Sequence, residues 1–177
     1  MTTTPVRFET MLDHHHDEIY AYLWRLLHSA GRLDSAVEAQ DLIQEVFLRA
    51  YQAFDRLRPE SNPRAWLYKI ASNCAYTALK RGRRQAQRSL PLQEESLSIP
   101  DPHAPARQAE VAETMEQLAG AIAALPPKQR AAVVLRHVQG LDYSTVAEIL
   151  NCSPDGARAN VYQALRRLRQ ALEEGPD

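Results

Sequence analysis

A chain of 177 residues with 45% hydrophobic and 24% charged residues is long enough for one ordinary domain or two small ones and is not a disordered chain. No run approaches the roughly 20 apolar residues of a membrane span, and the N-terminus lacks the basic-then-apolar pattern of a signal peptide, so a cytoplasmic location is expected. The net charge of −1 conceals a segregation: residues 1–60 carry ten acids against six bases, whereas residues 61–93 hold seven bases and no acid.

Chemistry-bearing motifs are few. Cys74 and Cys152 lie in helical patterns without CxxC or Cys/His spacing and are expected as reduced thiols. The six glycines form no GxGxxG, P-loop or GxSxG motif, and β-branched runs are scarce, so the expected fold class is all-α. His14, His15 and His16 are consecutive, and on a helix they point in different directions, whereas helical chelation wants positions i and i+4. No metal, cofactor or catalytic residue is expected.

In chain order, the clearest helical period covers Asp41 to Leu57. At about 100° per residue, Leu42, Ile43, Val46, Phe47, Ala50, Tyr51, Phe54 and Leu57 share one half of the helix, the core half. The other half carries Asp41, Gln44, Glu45 and Gln52 around Leu48. Leu48 reads either as an isolated exposed leucine or as the centre of a protein-docking face.

Asn62-Pro63 predicts a helix start, with the helix running to about Lys80 and ended by Gly82. Leu67, Ile70, Ala71, Cys74 and Ala78 form its packing stripe. Lys69, Asn73, Tyr76 and Lys80 form an exposed row with Trp66 at the edge, either part of that row or a core tryptophan. Cation, amide and aromatic together suit phosphates and unstacked bases, and Arg81, Arg83 and Arg84 extend the row as phosphate contacts.

Pro91, Pro100, Pro102 and Pro105 mark residues 89–109 as a linker, giving two helical domains, 8–86 and 111–173, joined flexibly through 87–110. In the second, Leu118, Ile122 and Leu125 precede Pro126-Pro127, which stops one helix and starts the next. That helix reaches about Val138 and Gly140 closes it. Asp142 caps a short helix, and Ser153 caps a long final one from Pro154, together a helix-turn-helix. On the final helix Ala157, Val161, Ala164, Leu165, Leu168 and Leu172 form the buried arc. Asn160, Gln163, Arg166, Arg167 and Gln170, with Arg158 in the same basic stretch, face away from it and have the chemistry of base-edge readers; Ala159 beside them suits a thymine methyl.

Three segments, Ala39-Gln-Asp-Leu-Ile-Gln-Glu-Val-Phe-Leu-Arg-Ala-Tyr51, Pro63-Arg-Ala-Trp-Leu-Tyr-Lys-Ile-Ala-Ser-Asn73 and Leu125-Pro-Pro-Lys-Gln-Arg-Ala-Ala-Val-Val-Leu-Arg136, resemble a bacterial RNA polymerase sigma factor of the extracytoplasmic-function group. The resemblance implies a region 2 helical bundle and a region 4 helix-turn-helix. It implies core RNA polymerase as a partner, met at the β′ clamp helices and the β flap, together with promoter DNA and an anti-sigma factor. Asp41, Gln44, Glu45, Leu48, Arg49 and Gln52 would dock on the polymerase. Trp66, Lys69, Asn73, Tyr76, Lys80, Arg81, Arg83 and Arg84 would melt and read the minus-ten element, with Arg58 to Ser61 beside the pocket for a flipped base. Arg158, Asn160, Gln163, Arg166 and Arg167 would read the minus-thirty-five element.

The chain departs from that family pattern at two places. Thr77 stands where an aspartate is frequent, and the recognition helix opens Asp155-Gly156-Ala157-Arg158 where Gly-Thr-Val-Lys is usual. A sigma mimic that captures an anti-sigma factor without reading DNA is the alternative, and it would be marked by eroded basic and aromatic residues, which this chain retains. A stand-alone helix-turn-helix repressor would leave the docking face unexplained, and an enzyme would need a nucleophile, base and orienter that are not visible.

Overall fold

The computed structural model describes residues 7–28, 35–58, 60–88 and 117–173, and among them there is helix and no strand. Helix α1 spans Phe8–His28, α2 Ser35–Ala53 with a 3-10 turn at Phe54–Arg56, and α3 Pro63–Arg88. Helix α4 covers residues 117–124. It is followed by α5 at Pro127–Val133, which runs into a π-helical turn at Val134–Val138, then α6 at Tyr143–Leu150 and α7 at Pro154–Glu173. Most of the expected linker, and the expected start of the second domain, fall at residues 89–116, outside the described residues.

The helix ends follow from local chemistry. Asn62 Oδ1 accepts from the Ala65 amide at 3.1 Å, with Pro63 at the first helical position. Asp142 takes the Thr145 amide on one oxygen and the Thr145 hydroxyl on the other, both at 2.9 Å, and these bonds hold its carboxyl below the usual range. Gly140, at φ 69°, turns the chain into that cap. Asn151 ends α6 at φ 51°, and Ser153 Oγ accepts from the Gly156 amide at 3.0 Å to open α7. Gly82 does not end α3, which continues to Arg88. One glycine costs only about 1 kcal/mol of helix propensity, and the arginine, glutamine and alanine residues that follow are good helix formers.

Helices α1 to α3 surround a core of Ile19, Tyr22, Leu23, Leu26, Leu27, Val46, Ala50, Leu67, Tyr68, Ala71 and Cys74. Its polar atoms are paired: the Tyr22 hydroxyl meets Ser72 Oγ at 2.8 Å, and Ser72 donates to the Tyr68 carbonyl at 2.8 Å. In the second segment Leu135, Val146, Ile149, Leu150, Ala157 and Val161 are buried, and Leu125, Ala164 and Leu168 form a satellite cluster. The two segments are in contact, since α3 packs along α6 and the buried core is continuous across the seam.

Three expected core residues lie outside it. Tyr51 is 66% exposed, and Leu165 and Leu172 are 39% and 41% exposed. Tyr51 lies at the margin of the α2 core half, where Phe8 packs edge-on between it and Phe54 at 5.3 and 5.2 Å. Leu165 and Leu172 sit to one side of the stripe Ala157, Val161, Ala164 and Leu168, which are the buried residues of α7.

A polar clip joins α1 to the start of α3. Glu18 accepts from Arg64 Nε at 2.9 Å and Nη2 at 2.7 Å, from the Tyr68 hydroxyl at 3.2 Å, and lies 2.6 Å from His15 Nδ1. Burial alone would raise the Glu18 carboxyl, but the Arg64 and His15 hydrogen bonds and charges outweigh it and hold it below the usual range. A carboxyl lowered by folding stabilises the fold above its unfolded value, and that contribution is lost as pH falls through the folded value. In urea unfolding, Glu18→Gln is therefore expected to be less stable than wild type at neutral pH and to converge with it on approach to about pH 3. A constant difference at every pH would show that the clip's charge is immaterial.

Candidate nucleic-acid interface

Helix α2 separates its faces cleanly. Leu42, Ile43, Val46 and Ala50 point into the core, while Asp41, Gln44, Leu48, Arg49 and Gln52 are exposed and Glu45 is half-buried, paired with Arg49. Leu48 is not isolated. Val37 and Tyr51 are exposed on the same side, so Val37, Gln44, Leu48 and Tyr51 make one stripe with Asp41 and Gln52 along its flank. The spacing of 4, 3 and 4 residues from Val37 to Asp41, Gln44 and Leu48 carried this signal. A helical period that begins at Asp41 leaves Val37 out, and Tyr51 lies at the margin where that period points to the core.

On α3 the expected row divides. Asn73, Lys80, Arg81 and Arg84 are exposed, Lys69 is half-buried, and Trp66 is half-buried against the core, between its two readings. Arg58 is exposed and Ser61 half-buried before the helix, while Pro59 and the Arg83 side chain lie outside the described residues. Tyr76 departs from expectation: its ring packs against the core at the α3–α6 seam, and burial pushes its hydroxyl well above the ordinary tyrosine value, with a smaller contribution from Cys152 opposed by Arg130. Thr77, at the departure from the family pattern, turns its hydroxyl back to the Asn73 carbonyl at 2.9 Å and leaves the Asn73 side chain unengaged among the described residues.

The second segment presents α7. Arg166 and Arg167 are exposed and engaged by nothing among the described residues. Two amides expected to be free are committed: Gln129 Nε2 donates to Gln163 Oε1 at 2.8 Å, and Asn160 Nδ2 donates to the Gly156 carbonyl at 2.8 Å. Each bond orients its amide and still leaves at least one N–H and one oxygen lone pair for a base edge. Arg158 is tied to Asp155 at 2.9 Å and lies over the Tyr143 ring at 5.4 Å, with Arg136 over the same ring at 4.8 Å. Arg136 and Tyr143 thus join the cationic end of the helix-turn-helix. The hint was the cation seven residues before a tyrosine that opens α6. A β-carbon on Gly156 would approach Ser153 Oγ to 3.2 Å, so the glycine leaves room for the serine cap.

No group of three or more candidate metal-binding side chains occurs among the described residues, and no described helix is long and apolar enough to cross a membrane.

Family models described as Sigma-70 region 2 and Sigma-70, region 4 match residues 11–85 and 115–168. The RNA polymerase sigma-H factor of Pseudomonas aeruginosa is 29% identical over 175 residues, covering 94% of this chain and 86% of its own. The ECF RNA polymerase sigma-E factor of Escherichia coli K12 is 28% identical over 167 residues, 88% of this chain and 82% of its own. Among solved structures, the sigma factor RpoE in complex with the anti-sigma factor NepR, from Bartonella quintana, has a TM-score of 0.67 at 23% identity, covering 94% of this chain and 96% of that one. CnrH in complex with the cytosolic domain of CnrY has a TM-score of 0.64 at 20% identity, covering 96% and 89%. At these identities the two structures establish the fold.

Proposed function

Because this chain belongs to the sigma-70 family of RNA polymerase sigma factors, in its extracytoplasmic-function group, we propose a division of labour among its exposed faces. The chain binds core RNA polymerase and directs promoter-specific transcription initiation; its family consists of transcription regulators rather than enzymes. In the proposal, residues 8–86 and 111–173 act as two modules in the cytoplasm, with 87–110 between them. An anti-sigma factor is proposed as a further partner, because one structure of this fold was solved with the anti-sigma factor NepR and another with the cytosolic domain of CnrY.

The observation that carries the docking assignment is the α2 stripe. Val37, Leu48 and Tyr51 leave an apolar line in water, flanked by Asp41, Gln44, Glu45, Arg49 and Gln52, and that is the composition of a protein interface centre with a polar rim. Its assigned partner is the β′ clamp helices, and the β flap is assigned to the second module. Trp66, Lys69, Asn73 and Tyr76 are assigned to the melted minus-ten strand, with Lys80, Arg81, Arg83 and Arg84 on phosphate. In α7, Arg166, Arg167, Asn160 and Gln163 are assigned to base edges of the minus-thirty-five element, and Arg158, Arg136 and Tyr143 to the backbone. These retained cations favour a DNA reader over a sigma mimic.

Asn73 gives the test of the melting assignment. An unstacked base becomes available only after melting, so Asn73→Ala is expected to lower open-complex formation by roughly tenfold while initial duplex binding is unchanged. Permanganate footprinting of promoter thymines reads the bubble, and a gel-shift assay on closed complexes reads the duplex. An unchanged bubble with weaker closed complexes would reassign Asn73 to duplex contacts.

A further inference from the structure

Gln129 is a buried polar residue that packing does not explain. It lies in the first turn of α5, is 7% exposed, and belongs to the helix that packs against α7. Its Nε2 donates to Gln163 Oε1 at 2.8 Å, while its own Oε1 is inaccessible and has no partner among the described residues. A methionine would fill much the same volume without stranding an oxygen, so the glutamine opposes the fold it sits in. Its one side-chain bond goes to an exposed residue of the recognition helix. That bond gives Gln163 a direction: Oε1 is held by α5, and both Nε2 hydrogens stay free among the described residues. Asn160, one turn earlier, is set the opposite way, since its Nδ2 is spent on the Gly156 carbonyl at 2.8 Å.

We propose that Gln129 is a positioning residue for promoter recognition, which from its buried site fixes the Gln163 amide so that Gln163 meets the minus-thirty-five element as a hydrogen-bond donor. The inference rests on the assignment of α7 to that element. Two N–H donors match guanine, which offers N7 and O6 in the major groove, and oppose cytosine, which offers only its N4 amino donor there. Without Gln129 the Gln163 amide can turn over and present oxygen or nitrogen alike, and the discrimination falls.

The test is run-off transcription by the reconstituted holoenzyme on a promoter panel carrying each base at each minus-thirty-five position. Gln163→Ala first finds the position that Gln163 meets, as the one whose preference it flattens. There the wild-type chain is expected to favour guanine over cytosine by roughly tenfold, and Gln129→Met to cut that ratio about fivefold while leaving every other position unchanged. In the Gln163→Ala background Gln129→Met should alter no preference, because its effect passes through Gln163. Circular dichroism melts establish that the variants fold; if Gln129→Met does not, Gln129→Asn, one methylene shorter, decides in its place. A Gln129→Met holoenzyme that keeps the guanine preference, or that loses activity on all promoters alike, would overturn the positioning role and leave Gln163 as a base reader. A wild-type preference for cytosine at that position would overturn the donor polarity. If Gln163→Ala flattens no position, the base-reading assignment of Gln163 fails and the inference fails with it.

Discussion

Replacing Leu48 and Gln44 together with arginine is expected to abolish holoenzyme formation while leaving the helix content and thermal unfolding of the free chain unchanged. Leu48 is 58% exposed and Gln44 is exposed beside it, on the face of α2 opposite Val46 and Ala50, so neither substitution reaches the core. At the centre of an interface, removing an apolar anchor and burying two unpaired charges costs about 4 kcal/mol or more, roughly a thousandfold in affinity. Gel filtration with purified core polymerase and circular dichroism of the free variant separate the two effects. Loss of helix content would place Leu48 in the core after all, and normal assembly would remove the docking assignment.

The largest expected stability effect belongs to Arg130. This guanidinium is 4% exposed and closes the end of α4: Nε donates to the Ile122 carbonyl at 3.1 Å, and Nη2 donates to the carbonyls of Ala123 and of Leu125, the latter at 3.1 Å. Helix ends leave carbonyls without intrahelical partners, and here one side chain supplies several of the missing donors. Arg130→Ala would leave the buried Leu125 carbonyl and the half-buried Ile122 and Ala123 carbonyls without this donor, at about 1 to 3 kcal/mol for the buried one and less for the others, for a total of roughly 3 kcal/mol. A segment of this size has few kcal/mol to spare. Limited proteolysis is then expected to degrade residues 117–173 while the first core survives. Arg130→Lys would rescue little, because an ammonium on a flexible stem cannot reproduce the planar fork. Resistance to protease equal to wild type would show that water replaces the guanidinium at the α4 end.

The features set by local chemistry were legible in the sequence. Asn62, Asp142 and Ser153 cap the helices they were expected to cap, and the apolar period of α2 assigned Leu42, Ile43, Val46 and Ala50 correctly. A helical wheel gives the direction of the core but not how far its neighbours extend around it. Tyr51, Leu165 and Leu172 lie at the margins of their arcs, and the packing helices stop short of them. Gly82 is a stop signal in isolation, but the helix-forming residues after it carry α3 on to Arg88. Among the interface residues, exposure was legible for Leu48, Asn73, Arg166 and Arg167. What was not legible depends on contacts between distant parts of the chain: Tyr76 against the second segment, and Gln129 of α5 holding Gln163 of α7. No periodicity within one helix reports such a contact.

Promoter-directed initiation is tested most directly by in vitro run-off transcription from genomic fragments with purified core polymerase, with and without this chain, followed by mapping of start sites. Addition of the wild-type chain should create start sites absent with core alone, each preceded by a common pair of upstream elements, and the Leu48→Arg, Gln44→Arg chain should create none. Start sites that are the same with and without the wild-type chain, under conditions where it binds core polymerase, would contradict its assignment as a promoter-specificity subunit.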